Sequence, residues 1–248
     1  GKREIQITAD LKDLSASETE ILDNIKTNIM PEILSKYPTV TPMYEGQNRE
    51  AKKTTDSLNL VGPIILLLIY IVIAFTFRSY SQPVLLIVMI PFSMIGVIWG
   101  HYFHNFAIGI LSFLGIIALI GIMVNDGLVL IGKFNNYLKE GMKFDDALVR
   151  AGQSRFRAIF LTSLTTVAGL APLIFEKSRQ AQFLIPMAIS IAYGIAIATV
   201  LTLVMLPLLL SVSNTIKVGV KWLKTGNEIT KEEVERAIIE SKFDEDEI

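Results

Sequence analysis

One carboxylate lies within a long stretch of sequence that is otherwise free of charge. Asp126 is the only formally charged residue between Ser79 and Gly132, and Asn125 precedes it. On a membrane helix centred near Leu119, Asp126 lies about 10 Å from the centre, at ~1.5 Å of rise per residue. Burying a carboxylate at that depth costs at least about 2.5 kcal/mol, and such a cost indicates a proton or ion pathway. The alternative is a carboxylate that only holds helices together.

Polar residues on a second segment could extend such a pathway. Arg155 and Thr162 are two helical turns apart and therefore share a helix face, which Thr166 continues. An arginine at one end, with hydroxyls deeper on the same face, could carry water toward Asp126. Ser and Thr in membrane helices also often bond only the carbonyl four residues earlier. The spacing leaves both interpretations open.

Other combinations of reactive residues give no enzymatic site. His101 and His104 could bind a metal, but polar residues at a helix end need no such role, and we predict no metal site. The sequence has no cysteine, which excludes disulfides and thiolate ligands. It also lacks a Ser-His-Asp set, a phosphate-binding GxxxxGK[ST] loop and an HExxH motif, so we expect neither ATP hydrolysis nor peptide cleavage.

Two stretches without charge indicate a membrane protein. Asp, Glu, Lys and Arg are absent from Ser79 to Asn125 and from Gln180 to Ile216. Because roughly 20 apolar residues cross the hydrocarbon core, the central region predicts five transmembrane helices, at about 59–77, 83–103, 107–131, 158–175 and 183–211. Small residues allow close helix packing within them, and the candidates are Gly96, Gly100, Gly121 and Gly127.

A polar segment precedes the apolar region. Residues 1–58 predict a β-α-β unit and a connector, with strands at Glu4–Ala9 and Thr39–Glu45. A capping box of Ser17 and Glu20 begins the intervening helix, which Pro38 ends. A chain opening in this way indicates a piece of something longer. The fold class is therefore mainly α, a polytopic bundle of five membrane helices with a small α+β remnant.

Two further segments are predicted outside the membrane. Residues 143–153 predict a short cytoplasmic amphipathic helix, whose apolar side would face the membrane through Phe144, Ala147, Leu148 and Ala151. Residues 212–248 predict a cytoplasmic tail. For its last part, Glu228–Ile248, we favour a solvated extension over a helix through Val234, Ile238 and Ile239.

Loop charges predict the orientation. Most Lys and Arg of the connecting segments lie between spans three and four, after span one and after span five. The positive-inside rule places these segments in the cytoplasm and the N-terminal unit outside. The balance of 23 Lys+Arg against 24 Asp+Glu argues against a nucleic-acid partner.

Three segments resemble the resistance–nodulation–division (RND) efflux transporters. Gly121–Ile131, with the sequence GIMVNDGLVLI, resembles the motif of their tenth span. Arg155–Leu173 resembles their eleventh span, and Phe77–Pro83 resembles the connection before the ninth. The resemblance covers about Ile5–Ser211 in the same order. It implies the C-terminal part of an AcrB-type multidrug pump, with the end of the porter region followed by membrane helices eight to twelve.

The resemblance also implies a function. Members of this family are secondary transporters (drug/proton antiporters) of the inner membrane of Gram-negative bacteria, driven by the proton gradient without a cofactor. They export drugs, detergents or other amphiphiles, and we favour organic substrates over metals. The implied partners are the lipid bilayer, the N-terminal half of the same transporter, two further copies in a homotrimer, a periplasmic adaptor and an outer-membrane channel.

Individual residues match the family's proton site. Asn125 and Asp126 match positions that face an aspartate pair on the family's fourth span, and Arg155 and Thr162 match relay positions. Multidrug members carry Lys then Asn at the first two positions, where this chain has Asn then Asp. The resemblance therefore implies that the family's Lys–carboxylate switch cannot operate unchanged, and the proton stoichiometry stays open.

Two other interpretations remain. The chain could be a non-transporting membrane scaffold of the related sterol-sensing or secretion-accessory type, although Arg155–Leu173 favours the efflux branch. It could also be an inactive half of a pseudo-symmetric transporter that lacks its partner helices.

Overall fold

Helices make up most of the described chain. The computed structural model describes residues 5–7, 9, 18–44, 47–227 and 229–239. The α-helices are α1 (Glu18–Asn24), α2 (Met30–Lys36), α3 (Gln47–Phe77), α4 (Ser81–His104), α5 (Ile110–Lys139), α6 (Phe144–Ile174), α7 (Arg179–Val200) and α8 (Leu206–Thr225). Turns of π-helix at Ile25–Ile29 and Leu201–Met205 join α1 to α2 and α7 to α8, and a 3-10 turn covers Glu232–Val234.

Five stretches of helix in the described part are long and apolar enough to cross a membrane. They are Asn59–Phe77, Ser81–His104, Ile110–Lys139, Phe144–Ile174 and Leu184–Thr225. The prediction of five membrane helices is thus confirmed. Several helices run beyond the predicted ends, because polar residues with good helix propensity continue the helix past the apolar segment.

Local signals set the helix ends. Asn105 ends α4 in the left-handed conformation, at φ 53°, which asparagine tolerates better than most residues. Gly226 ends α8 in the same way, at φ 68°. The side chain of Ser178 accepts a hydrogen bond from the backbone N–H of Ala181 and caps α7.

A proline follows each of the two π-helical turns. Pro31 and Pro207 each lie just after one of these turns, in the first residues of α2 and α8. Because proline has no backbone N–H, one helical hydrogen bond is missing there. The chain widens instead, and the N–H of Leu206 bonds the carbonyl of Leu201.

Helix α7 lies at the centre of the bundle and packs against α4, α5 and α6. Its residues Ala188 and Ile189 are fully buried. Helix α3 is peripheral, since only 6% of its apolar window is buried. The described membrane helices therefore form a packed core of α4 to α8 with α3 on one side.

Glycines allow the closest helix contacts. A Cβ added at Gly96 would clash with the carbonyl oxygen of Tyr193, and one added at Gly100 would lie 2.6 Å from the Tyr193 ring carbon Cγ. The GxxxG pair therefore packs α4 against α7 of the same chain. Gly127 faces Leu86 of α4, whereas a Cβ added at Gly121 would meet no neighbouring atom within 4 Å.

The predicted β-α-β unit is not supported. Within residues 1–58 the described part contains α1, α2, the π-helical turn between them and the start of α3, but no strand, and residues 5–7 and 40–44 are irregular. Ile5 and Ile7 are each 89% exposed. Two short strands need further strands or a packed helix to be stable, and so short a unit buries too little surface on its own. Ser17 of the proposed capping box lies outside the described residues.

The predicted amphipathic helix is the first part of α6, which continues into the fourth span without interruption. Its apolar residues Phe144, Ala147, Leu148 and Ala151 are buried within the protein, so the prediction that they face the membrane is wrong. Phe144 packs edge-on against Phe134 of α5, with ring centroids 5.3 Å apart. An apolar helix side can be buried against protein or against the membrane, and the sequence pattern does not distinguish the two.

The preferred solvated state of the tail is wrong for its described part. Residues 229–239 fold back onto α8 and onto the start of α6, and Glu235 is only 3% exposed. The amide nitrogen of Asn214 donates to Glu235 Oε1 at 2.8 Å and to the carbonyl of Lys231 at 2.7 Å. Lys217 forms an ion pair with Glu235 at 3.2 Å. We call residues 229–239 the C-terminal strap.

Candidate functional site

Asp126 lies at the edge of the packed side of α5. Its neighbours Met123 and Gly127 are buried, Asp126 is half-buried, and Asn125 is exposed. The exposed residues on this side follow helical spacing. We call them the open face of α5, which consists of Gly121, Ile122, Asn125 and Val129.

The Asp126 carboxylate has no partner among the residues that the structure describes: none of them donates it a hydrogen bond or forms an ion pair with it. A carboxylate in an apolar environment is costly unless it is paired or protonated. Because the side chain borders the open face, a group from outside the described bundle can reach it. The arrangement thus suits a carboxyl group that binds a proton or an external polar partner.

The hydroxyls of α6 are directed into their own helix. Thr162 donates to the carbonyls of Ala158 and Ile159, at 3.0 and 2.9 Å. Thr166 donates to the carbonyl of Thr162 at 2.8 Å. These are the local bonds expected of Thr in membrane helices. Each oxygen keeps a free lone pair, so the two residues can accept a hydrogen bond from water but do not donate toward Asp126 in this structure.

Arg155 is half-buried near the start of the span portion of α6, and its Nε–H is buried without a hydrogen-bond partner in the described chain. An unsatisfied buried donor costs about 1–3 kcal/mol, so an acceptor at this point would be strongly favoured. The structure brings α5 and α6 into contact, but it forms no hydrogen bond between Asp126 and Arg155 or Thr162 in the described residues. Their role as a relay stays a prediction.

Polar pairs between helices were missed by the sequence analysis. Gln82 of α4 and Asn135 of α5 exchange two amide hydrogen bonds, at 2.9 and 3.1 Å, and both are buried. Thr199 of α7 donates to the hydroxyl of Ser163 of α6 at 2.5 Å. Each polar residue stands out in an apolar segment, but nothing in the spacing pairs residues so far apart in sequence.

The two histidines have separate partners on α7. His101 Nε2 lies 3.0 Å from the Ser190 hydroxyl, and His104 Nε2 lies 3.0 Å from the Tyr193 hydroxyl. The described residues contain no group of three or more His, Cys, Asp or Glu side chains that could hold a metal ion. Both histidines thus connect α4 to α7.

Comparison with known proteins identifies the family. The model of the AcrB/AcrD/AcrF family matches residues 1–213, and the chain therefore belongs to this family of RND transporters. The resemblance of Gly121–Ile131, Arg155–Leu173 and Phe77–Pro83 to the RND transporters is thus confirmed.

Relatives within the family carry different descriptions. The chain is 28% identical over 212 residues to the cobalt-zinc-cadmium resistance protein CzcA of Cupriavidus metallidurans, covering 84% of this chain and 19% of CzcA. It is 27% identical to the swarming motility protein SwrC of Bacillus subtilis, covering 67% of this chain and 16% of SwrC. It is 26% identical to the multidrug resistance protein MdtC of Erwinia tasmaniensis, covering 62% of this chain and 15% of MdtC. The chain thus spans about a fifth of the length of such relatives.

Solved structures share the fold. A crystal structure of a heavy metal efflux pump matches with a TM-score of 0.62 and 24% identity, covering 75% of this chain and 19% of that one. A second crystal form of such a pump gives a TM-score of 0.60 and 22% identity. At these identities the likeness shows the helical fold alone.

Proposed function

We propose that this chain is a membrane part of a proton-driven RND efflux transporter, and that Asp126 carries the proton. The observation that supports this most is the position of Asp126, a lone carboxylate of an apolar segment that borders the open face of α5 without a partner among the described residues. Membership of the family supports efflux as the process.

Proton binding by Asp126 depends on its surroundings. Desolvation favours the neutral carboxyl group, whereas an approaching cation or hydrogen-bond donor favours the carboxylate. Alternating between these surroundings lets the residue take up a proton on one side of the membrane and release it on the other. A proton moved down the gradient supplies about 2.3 kcal/mol per 100 mV.

The cation or hydrogen-bond donor that favours the carboxylate form of Asp126 comes from another part of the transporter. In this proposal the open face of α5 packs against the N-terminal half, whose fourth span faces Asn125 and Asp126. Arg155, Thr162 and Thr166 line the water path to the same place. Arg155 supports this assignment through its buried and unpartnered Nε–H, which a carboxylate or a water chain would satisfy.

The assembly is proposed on the same basis. The transporter is a homotrimer in the inner membrane, with its N-terminal porter region outside and the C-terminal strap in the cytoplasm. It works with a periplasmic adaptor and an outer-membrane channel. The Lys and Arg residues near the α5–α6 connection support this orientation through the positive-inside rule.

The exported cargo has two candidates. Our first candidate is an amphiphilic organic compound, which the similarity to the multidrug resistance protein MdtC supports. The second is a heavy-metal cation, since CzcA is described as a cobalt-zinc-cadmium resistance protein. Stimulation of proton flux by a detergent or by Zn²⁺ separates the two.

Proton flux in proteoliposomes tests the proposal. The complete protein in which this chain occurs is reconstituted with a pH-sensitive dye inside the vesicles, and flux is measured with each cargo. Asp126→Asn should reduce cargo-stimulated flux to the level of protein-free vesicles. Asp146→Asn is the matched control, because Asp146 is an exposed residue in the first turn of α6 and should leave the flux unchanged. Normal flux in Asp126→Asn would refute the proposal.

A further inference from the structure

A second titratable group is buried at the other end of the bundle. His101 lies in the last turn of α4 and is 3% exposed. Its Nδ1 lies 3.1 Å from the carbonyl oxygen of Phe106, and its Nε2 lies 3.0 Å from Ser190 Oγ. Ser190 Oγ in turn lies 3.0 Å from the carbonyl oxygen of Pro186. These contacts join α4, the segment after it and α7.

The partners determine where the hydrogens lie. A carbonyl oxygen only accepts hydrogen bonds, so Nδ1 of His101 carries a hydrogen and donates to Phe106. Ser190 has one hydroxyl hydrogen and can also accept. When the imidazole is neutral, the hydroxyl of Ser190 donates to Nε2. When Nε2 is protonated, it donates to Ser190 Oγ, and the hydroxyl hydrogen turns to the carbonyl of Pro186.

Both protonation states of the imidazole therefore keep a full set of hydrogen bonds. A buried polar group without a partner is strongly disfavoured, so the hydrogen bonds around a buried imidazole limit the protonation states that it can adopt. We propose that His101 and Ser190 form a proton-binding site, separate from Asp126, in which the Ser190 hydroxyl reverses its hydrogen bond when a proton binds. The ligand is a proton, which binds at Nε2 of His101.

The site lies far from Asp126. His101 is at the end of α4 next to the start of α5, whereas Asp126 comes 16 residues after Ile110, the first residue of α5. At ~1.5 Å per residue, this distance is about 24 Å along the helix. The proposal therefore stands whether or not Asp126 carries a proton.

Other titratable groups occur at the same end. His104 follows His101 by one turn on α4, and Tyr193 on α7 bonds His104 through its hydroxyl. Glu176 lies between α6 and α7, where its carboxylate accepts from the backbone N–H groups of Lys177 and Ser178. Within the span of α4, no Asp, Glu, Lys or Arg is present in the sequence. The experiment must therefore distinguish the titration of His101 from that of His104.

The sequence makes that separation simple, because it contains only 2 histidines. The full chain carrying His104→Gln is labelled with ¹⁵N-histidine, placed in lipid nanodiscs and titrated from about pH 8.5 to about pH 5, which brackets the usual range of histidine. The imidazole ¹⁵N shifts and N–H couplings report each nitrogen. We expect Nδ1 to carry hydrogen throughout and Nε2 to change from acceptor to N–H. A bare Nδ1, or an Nε2 that never changes, would overturn the proposal.

Ser190→Ala tests the role of the hydroxyl. In that variant, the Nε2 shift should move to the value of a nitrogen without a hydroxyl partner at both ends of the titration. Ser93→Ala is the matched control, because Ser93 is a buried serine of α4 whose hydroxyl bonds the carbonyl of Ile90 at 2.7 Å. It should keep the parent spectrum. An unchanged Nε2 signal in Ser190→Ala would contradict the proposal, and if that variant does not fold, the titration of the parent decides.

Discussion

Gln82 and Asn135, which are 53 residues apart, close a buried ring of two amide hydrogen bonds between the start of α4 and the later part of α5. Each side chain satisfies the donor and the acceptor that the other presents. This pairing fixes the rotation of the two helices about their axes near the end of the bundle where α5 passes into α6. It also explains why two amides are retained in a helix contact that is otherwise apolar.

Breaking one member of this pair should be more harmful than replacing both. Asn135→Leu leaves the Gln82 amide buried without partners and should lower the free energy of unfolding by about 1–3 kcal/mol. The double variant Gln82→Met with Asn135→Leu should recover most of the loss. Unfolding in mixed micelles measures the free energy of unfolding of the single and the double variant. Asn136→Leu is the control, since Asn136 is exposed; additive losses in the double variant would show that the pair is not coupled.

The C-terminal strap should detach when Glu235 is shortened. Glu235→Ala removes the acceptor of Asn214 and the ion-pair partner of Lys217, both of which would remain partly or fully buried. We expect faster hydrogen exchange over residues 229–239 and a loss of about 1–3 kcal/mol. Glu233→Ala, at an exposed position of the strap, should leave exchange unchanged. Equal exchange in the two variants would argue against a docked strap.

The strap also caps the helix that carries Arg155. Glu232 Oε1 accepts a hydrogen bond of 2.8 Å from the backbone N–H of Phe144, the first residue of α6. Glu232→Ala removes this cap, which we expect to cost about 0.5–2 kcal/mol and to fray the first turn of α6. Hydrogen exchange of residues 144–147 measures the fraying. Glu232→Gln should retain most of the protection, because its amide oxygen still accepts; protection unchanged in Glu232→Ala would exclude the capping role.

Alanine substitutions at Gly100 of α4 and Gly121 of α5 should change the stability of the chain in opposite directions. Gly100→Ala places a methyl group 2.6 Å from the Tyr193 ring carbon and should destabilise the chain by about 1–3 kcal/mol. Gly121→Ala meets no atom within 4 Å and should be neutral or stabilising by up to about 1 kcal/mol. Thermal unfolding in micelles measures the stability of both variants. A destabilising Gly121→Ala in this chain would show that the open face of α5 is covered by its own residues.

A larger substitution at Gly121 tests what the open face contacts. Gly121→Leu should leave the stability of this chain unchanged, because the position is open. In the complete protein it should impair transport if another part of the transporter packs there. Proton flux and unfolding, measured on the same preparations, separate these effects. Full transport by the Gly121→Leu protein would mean that the open face meets only lipid.

The sequence predicted the membrane helices well and the polar contacts poorly. Apolar length and the absence of charge located five spans, because crossing hydrocarbon imposes a strict requirement on local composition. The same local signal could not show that Phe144 and Ala151 face protein rather than lipid, since both surroundings are apolar. The described residues of the two predicted strands, 5–7, 9 and 39–44, form no strand, because strand formation depends on partners that alternation within one segment does not supply.

The candidate site was predictable only in part. The solitary charge of Asp126 and the spacing of Arg155 and Thr162 were visible in the sequence. The pairing of Gln82 with Asn135 and the docking of Glu235 on Asn214 were not, because each depends on how distant segments pack. Tertiary contacts of this kind require knowledge of the helix neighbours, which a single sequence does not give.

Protonation of Asp126 during transport tests the central claim most directly. Infrared difference spectra of the complete, ¹³C-aspartate-labelled protein in lipid would follow the carboxyl C=O band as cargo and a proton gradient are applied, with Asp126→Asn assigning the band. We predict a protonated carboxyl band that appears and disappears with transport and is missing from the variant. Transport that proceeds while the same carboxyl group keeps one protonation state throughout would contradict the account.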